Sequence, residues 1–263
     1  MTPSRQTALI TGAGNGIGRA IAIAMAENDR NVVCADIDLS AAETTAATIR
    51  QLGVEATALK VDVGETSEIS NMIQDIERQF GRLDILVNNA GVTRAADIME
   101  LTEADWDKIH RVNAKGVFFC LQNAAKQMIE QGNGGRIINI ASIAGRGFSG
   151  TSNAAYSASK GAVISLTKTA AQQLAKHDIT VNSICPGVTT TEIVEGLVKT
   201  RAEARGISVE AMVKEMTDNI RLKRANEPED IAAMAIFLAS SGARNITGPV
   251  SYTHLTLPTI CSV

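Results

Sequence analysis

The strongest constraint on the fold is an alternation. Short runs that are apolar or β-branched on consecutive residues are each followed by a longer stretch of helical period. The runs are Thr7–Thr11, Asn31–Ala35, Ala56–Val61, Asp84–Val87, Arg136–Ala141 and Ile179–Cys185. Consecutive apolar residues, in place of every second one, predict strands covered on both faces. Between them the pattern predicts helices over Ile17–Glu27, Ser40–Leu52, Ser67–Phe80, Glu103–Gln131 and Ala155–His177, with Ser40 and Thr66 as N-caps. Strands and helices in alternation close through right-handed crossovers into a doubly wound parallel sheet, a three-layer α/β/α architecture. With 263 residues, no Pro-, Gly- or Ser-rich linker and no repeat, the chain reads as a single domain.

Composition removes several function classes. A formal net charge of −3 gives no electrostatic grip on nucleic acid or anionic lipid. No apolar run reaches ~18 residues and no basic-then-apolar leader precedes Thr7, so neither a membrane span nor a secretory signal is expected. Cys34, Cys120, Cys185 and Cys261 show no paired spacing, and three histidines make no metal pattern. Reduced thiols in the cytoplasm are the expectation. Aromatics make up only 3% while glycine reaches 21 residues, which points to small-residue packing and to backbone brought close to a ligand.

The glycines concentrate where a ligand would sit. Thr11-Gly12-Ala13-Gly14-Asn15-Gly16-Ile17-Gly18 joins the first strand to the first helix. Gly12 permits a tight turn, Gly16 lets backbone approach a pyrophosphate, and Gly18 lets the helix pack on the strand. The N–H groups at that helix start favour the phosphate charge. Asp36 ends the second strand, where a carboxylate accepts both ribose hydroxyls of an adenosine and repels a 2′-phosphate. Neither Asn15 nor Ile37 is a cation that would welcome that phosphate, so NAD is expected over NADP. The competing reading is that Asp36 caps a turn. Asp62, with Val63 beside it, follows the third strand and is placed to receive the adenine amino group.

A second constellation suits proton transfer. Tyr156 and Lys160 lie four apart on a helix and share a face. A lysine charge ~4 Å from the phenol contributes on the order of 4 kcal/mol at an effective dielectric of ~20, about three pKa units. That expectation brings the phenol toward the useful range for acid–base chemistry. Ser142 ends the fifth strand, where its hydroxyl can bond a substrate oxygen. Asn113 lies inside a helix, and a buried helical Asn on its own often only satisfies backbone. The charged segment Thr190–Arg224, interrupted by Gly206, reads either as a surface helical hairpin or as a lid, since it leaves the carboxyl end of a strand.

Together these motifs resemble the short-chain dehydrogenase/reductase family. TGAGNGIG, the tetrapeptide Asn88-Asn89-Ala90-Gly91, the Asn of RVNAKG, Ser142, YSASK and Cys185-Pro186-Gly187 come in that family's order and approximate spacing, from about Thr7 to Gly248. The resemblance implies a Rossmann fold of seven strands and hydride transfer between a nicotinamide and a carbinol carbon. It implies Tyr156 as acid/base, Ser142 on the substrate oxygen, Lys160 on the nicotinamide ribose and Asn113 as anchor of a proton-carrying water chain. It also puts Pro186, Gly187, Val188 and Thr191 beside the nicotinamide, and Asn89, Ala90 and Gly91 on the adenosine ribose side. Ser142 and Tyr156 are 14 apart, one more than in many members, which leaves Ser149 and Ser152 as stand-ins.

The implied function is NAD-dependent oxidation of a secondary alcohol, polyol, diol or hydroxy acid, or reduction of the ketone, by a homotetramer. A 3-oxoacyl-(acyl-carrier-protein) reductase is the alternative, and a nucleotide sensor without catalysis is a third. The expected domain is 1–249, with its lid at about 190–224. From Val250 the pattern breaks: VSYTHLTLPT resembles a translated sequencing adapter, so residues 250–263 read as a non-native tail that replaces the last strand and would impair assembly. Tyr252, His254 and Cys261 therefore receive no functional reading.

Overall fold

The computed structural model describes residues 5–147, 152–218 and 220–253. Among them, seven strands form one parallel sheet in the order β3-β2-β1-β4-β5-β6-β7. They are β1 (Thr7–Thr11), β2 (Asn31–Asp36), β3 (Ala56–Lys60), β4 (Ile85–Asn88), β5 (Gly135–Ile140), β6 (Ile179–Cys185) and β7 (Val250–Tyr252). The first six fall within a residue of the predicted runs, because a strand buried on both faces leaves an unbroken apolar signature. β1 and β6 are buried along their whole length, whereas β3, at the sheet edge, is only half-buried. The chain runs outward from β1 in one direction and from β4 in the other. The crevice at their carboxyl ends is where open sheets of this kind bind ligands.

The helices are α1 (Gly16–Glu27), α2 (Leu39–Arg50), α3 (Thr66–Phe80), α4 (Glu103–His110), α5 (Val117–Gln131), α6 (Ala154–Leu174), α7 (Glu192–Arg205), α8 (Val209–Asp218) and α9 (Pro228–Ala239). One core forms where Ile21 and Met25 of α1, Ile49 of α2 and Leu238 of α9 meet Ile10, Val32 and Ile138 of the sheet. The opposite core joins Ile69 and Ile76 of α3, Met128 of α5 and Ala170 of α6 to Leu9, Leu86 and Val181. Alternate residues of each strand therefore serve two layers, which completes the three-layer architecture.

Two expectations about helix ends are corrected. Asp38, not Ser40, caps α2, its carboxylate accepting the N–H groups of Ser40 and Ala41 at 2.9 and 3.2 Å. The cap residue of α3 is Glu65, one before Thr66, and its side chain makes no capping bond. The single helix expected over Glu103–Gln131 is also interrupted. Arg111–Gly116 forms a π-helical turn between α4 and α5. Such a turn inserts an extra residue and leaves the hydrophobic period on either side nearly intact, so periodicity does not disclose it.

The segment after β6 forms the α7–α8 hairpin, with its own small core of Val198, Ala202 and Met212 and an ion pair between Arg205 and Glu215 at 2.9 Å. Gly206 ends α7 in the left-handed region at φ 62°. The hairpin's base is closed by Asn226, whose N–H donates to Val188 O at 2.8 Å and whose carbonyl accepts Thr190 N–H at 2.9 Å. β7 pairs with β6 over three residues, Ser183–Cys185 opposite Val250–Tyr252. Val250 and Tyr252 pack on Val163, Ile164 and Cys185. Ser149, His254 and Cys261 lie outside the described residues; Cys34, Cys120 and Cys185 are buried and free.

Candidate active site

The turn after β1 is shaped by what glycine lacks. Gly12 is left-handed at φ 66°, and a Cβ there would come to 2.9 Å from Ala90 Cα. A Cβ on Gly18 would collide with the Gly12 carbonyl, so α1 can lie this close to β1 only at a glycine. Asn89, at the end of β4, clamps the same turn by donating to the carbonyls of Thr11 and Gly12 at 3.1 and 3.0 Å. Thr11 Oγ1 accepts the N–H groups of Asn89 and Ala90, both at 3.1 Å. Asn15 stands at the start of α1 and its side chain makes no capping bond, which leaves the first-turn N–H groups for an anion.

These groups open onto a cleft of about 410 Å³ along the carboxyl ends of β1 to β6. Gly12, Asn15, Gly16 and Ile17 line its floor, with Asp36 at the end of β2 and Asp62 and Val63 at the end of β3. Asp36 Oδ2 accepts Gly14 N–H at 2.8 Å and Oδ1 accepts Asp38 N–H at 3.0 Å. The carboxylate thus braces a turn and faces the cleft at once; the two readings of Asp36 are compatible. Asp62 accepts Gly64 N–H at 2.8 Å and Arg111 Nη2 at 2.9 Å.

At the other end, Ser142, Tyr156 and Lys160 converge on the cleft from β5 and α6. The Ser142 hydroxyl lines the cleft together with the Tyr156 phenol and accepts Ala144 N–H at 3.1 Å. Asn153 starts α6, its Oδ1 accepting Tyr156 N–H at 2.8 Å. Lys160 Nζ donates to Ile140 O at 2.8 Å and lies 5.8 Å from the centre of the Tyr156 ring. Asn113, fully buried in the π-helical turn, holds Val92 by both its N–H (2.8 Å) and its C=O (2.9 Å). Asn113 also donates to Ser159 Oγ at 3.1 Å, and Ser159 in turn donates to Tyr156 O at 2.7 Å.

The geometry has a family. The short chain dehydrogenase family matches residues 6–202. The chain belongs to the short-chain dehydrogenases. It is 40% identical over 245 residues to the 3-oxoacyl-(acyl-carrier-protein) reductase FabG of Staphylococcus epidermidis, covering 92% of this chain and 95% of that one. It is also 40% identical over 248 residues to the (S)-acetoin-forming diacetyl reductase of the same species, with 92% and 95% covered. A solved structure of NAD+-bound xylitol dehydrogenase superposes with a TM-score of 0.89 at 32% identity, covering 96% of this chain and 99% of that one. The dehydrogenase is an oxidoreductase acting on CH–OH groups, with a nicotinamide cofactor.

Most residues singled out from the sequence do line the dehydrogenase's cleft, including Asn89, Ala90, Gly91, Pro186, Gly187 and Thr191. Three stand elsewhere. Gly18 is packed under Gly12, Asn113 is buried behind Val92, and the Val188 carbonyl is tied to Asn226. Ser152 bonds Thr93 Oγ1 at 2.8 Å, so the stand-in for Ser142 is occupied elsewhere. Thr189, Glu192 and Val194 line the cleft without having been singled out. They come from the loop after β6 and from the start of α7, which carry no fixed motif; departure from the carboxyl end of β6 was the available signal.

The electrostatic expectation for Tyr156 is reversed. Burial pushes its phenol above the ordinary value, against the lowering effect of the neighbouring Ser142 hydroxyl. Burial also lowers Lys160, to about 8, so the ammonium that was to draw the phenol down is itself disfavoured. Below pH 8 the folded dehydrogenase therefore bears a desolvated cation that the unfolded chain leaves in water. Replacing it with Lys160→Met, at the loss of the Ile140 bond, should stabilise by about 1–2 kcal/mol at pH 6–7. The gain should shrink as pH rises from 8 toward ~10.4, where both states become neutral. Thermal melts across that range, read beside a loss of turnover, check it.

Proposed function

We propose that this dehydrogenase uses NAD(H) to interconvert a secondary alcohol and its ketone, in the polyol, diol or hydroxy acid class, with Tyr156 as acid and base. The observation that carries the reading is the convergence of Ser142, Tyr156 and Lys160 on the same cleft as the glycine turn and Asp36. The cleft fits the cofactor: the glycine turn keeps its tight shape only because Gly12 and Gly18 lack a Cβ, and the start of α1 offers free donors. Gly12, Asn15, Gly16 and Ile17 would hold the pyrophosphate and Asp36 the adenosine ribose. Asp62 and Val63 would face the adenine, with Asn89, Ala90 and Gly91 on the adenosine ribose side. Pro186, Gly187, Val188 and Thr191 would flank the nicotinamide, Val188 through its backbone.

When bound, the nicotinamide supplies the acceptor or donor of hydride. The chain's own residues handle the oxygen and its proton. In oxidation the substrate hydroxyl gives its proton to the Tyr156 phenolate, and in reduction the phenol returns it. Ser142 hydrogen-bonds the same oxygen as charge develops there. Lys160 would bond the nicotinamide ribose, and the π-helical turn around Asn113 would anchor water that carries the proton away.

NAD is preferred over NADP because Asp36 presents a carboxylate where a 2′-phosphate would otherwise lie, and Ile37 beside it is apolar. A homotetramer in the cytoplasm belongs to the same proposal. Residues 250–263 are read as a non-native end, which resequencing of genomic DNA beyond codon 249 tests. The second reading, a reductase of carrier-bound 3-oxoacyl chains, is favoured by the 40% identity to proteins of that name.

A panel of polyols, diols, diketones, hydroxy acids and 3-oxoacyl thioesters, followed at 340 nm with each cofactor, separates the two. Turnover with small alcohols and NAD supports the first; turnover confined to 3-oxoacyl thioesters and NADPH overturns it. The pH profile has a definite sign. A phenol held high by burial stays protonated at neutral pH, so reduction should be fastest near or below neutrality and oxidation should climb through pH 9–10. Oxidation independent of pH over that range would remove Tyr156 as the base.

A further inference from the structure

The π-helical turn Arg111–Gly116 touches both ends of the cleft, and its first residue belongs to neither set described above. Arg111 Nη2 donates to Asp62 Oδ2 at 2.9 Å, and Nη1 donates to Glu65 Oε1 at 2.7 Å. The guanidinium lies flat over Gly64, where any Cβ would collide with it. Two further contacts press the same turn. Lys115 Nζ donates to Gly64 O at 3.2 Å, and a Cβ on Gly116 would meet Val63 O at 2.7 Å. Only glycines allow the two backbones to come this close.

The clamped turn is acidic. Asp62, Glu65 and Glu68 fall within seven residues, and Glu68 Oε2 accepts Asp62 N–H at 2.8 Å. Arg111 is the guanidinium that bridges two of these carboxylates. A fork with fixed geometry holds a carboxylate in orientation as well as in charge. With Gly64 N–H on one oxygen and Arg111 on the other, Asp62 keeps one lone pair free on each, and its carboxylate stays on the cleft wall beside Val63. Arg111 itself does not line the cleft.

We propose that Arg111 is a positioning residue for the adenine end of the nucleotide: it offsets part of the negative charge of the Asp62–Glu68 turn and sets the orientation in which Asp62 and Val63 meet the base. The assignment rests on the reading of the cleft as a site for NAD. It goes beyond that reading by naming a residue that acts only through Asp62. Because Asn113 sits two positions along the same turn, Arg111 also anchors the adenine end to the element that holds Val92 and Ser159.

The test uses AMP, which carries the adenine and no nicotinamide, and nicotinamide mononucleotide, which carries the reverse. In Arg111→Met, the dissociation constant for AMP measured by calorimetry should rise about tenfold. The KM for NAD should rise by a similar factor, with kcat and the affinity for nicotinamide mononucleotide within about twofold of wild type. In the Asp62→Asn background, Arg111→Met should add little further loss, since a residue acting through Asp62 has nothing left to orient.

Arg111→Lys, which keeps the charge without the fork, should fall between Met and wild type and provides a second variant should Met fold poorly. AMP bound equally by wild type and both variants overturns the assignment. So does an equal weakening of AMP and nicotinamide mononucleotide, which marks a general loss of structure. Wild-type protein that binds neither NAD nor AMP overturns the nucleotide reading of the cleft itself, and the assignment with it.

Discussion

Tyr156→Phe lowers kcat/KM by about three orders of magnitude while the affinity for NAD and the melting temperature stay near wild type. The size follows from what is removed. General acid–base groups contribute about 10²–10⁴ in rate, and the neighbouring Lys160 is bonded to Ile140 O at 2.8 Å. The selectivity follows from burial and packing. The variant deletes one hydroxyl, and Asn153 and Ser159 still hold the Tyr156 backbone. Steady-state kinetics in both directions, with cofactor binding followed by calorimetry, reads the outcome. Activity within tenfold of wild type would remove Tyr156 from the mechanism.

Gly18→Ala has the second large effect, and on a different quantity. The added methyl would run into the Gly12 carbonyl and the Asn89 side chain, so α1 must move off β1. Overpacking of this kind costs about 1–3 kcal/mol, and the lost Asn89 bonds to Thr11 and Gly12 add about 1 kcal/mol more. The expected destabilisation is thus about 2–4 kcal/mol, with NAD affinity reduced more than a hundredfold as the glycine turn deforms. Denaturant unfolding with and without NAD measures both. Gly196→Ala, in α7, is the control. It has open space around it and no left-handed backbone, so it should stabilise by up to about 1 kcal/mol. A Gly18→Ala variant that unfolds at the wild-type denaturant concentration would contradict the packing argument.

The two substitutions also mark where the sequence was readable and where it was not. Gly18 could be assigned its packing role in advance, because a helix that starts directly after a buried strand needs a small residue at the crossing. Tyr156 could be placed beside Lys160 from a spacing of four. Its titration could not be inferred. Pair spacing reports only the attraction of the neighbouring charge, whereas burial, which depends on α6, β5 and β6 closing together, is the largest influence on the phenol and raises it. Ser142 shows the same division. Its position at the end of β5 was legible; its place beside the phenol, across 14 residues of chain, exists only because the folded chain brings β5 and α6 together on one cleft.

Asn113 and Arg111 lie further from what a sequence discloses. Both were visible as residues of RVNAKG, within a stretch whose apolar period predicted one unbroken helix. In the π-helical turn they face opposite sides, Asn113 toward Val92 and Ser159, Arg111 toward Asp62 and Glu65. Partners that are 21, 46 and 49 residues away leave no local trace. The N-cap of α2 moved for a milder reason: Asp38 outcompetes Ser40 because its carboxylate reaches two N–H groups at once.

By itself, then, the sequence determined the layered parallel sheet, the glycine turn, the acidic end of β2 and the family. Each of these is written in residues close together in the chain, as period, spacing or the absence of a Cβ. The tertiary structure alone decided which side chains of the α7–α8 segment reach the cleft, which carboxylates Arg111 bridges, and how burial sets the protons on Tyr156 and Lys160. Those depend on distances between elements and on how far water is excluded, and neither quantity exists until the sheet and its two helical layers have closed around the site.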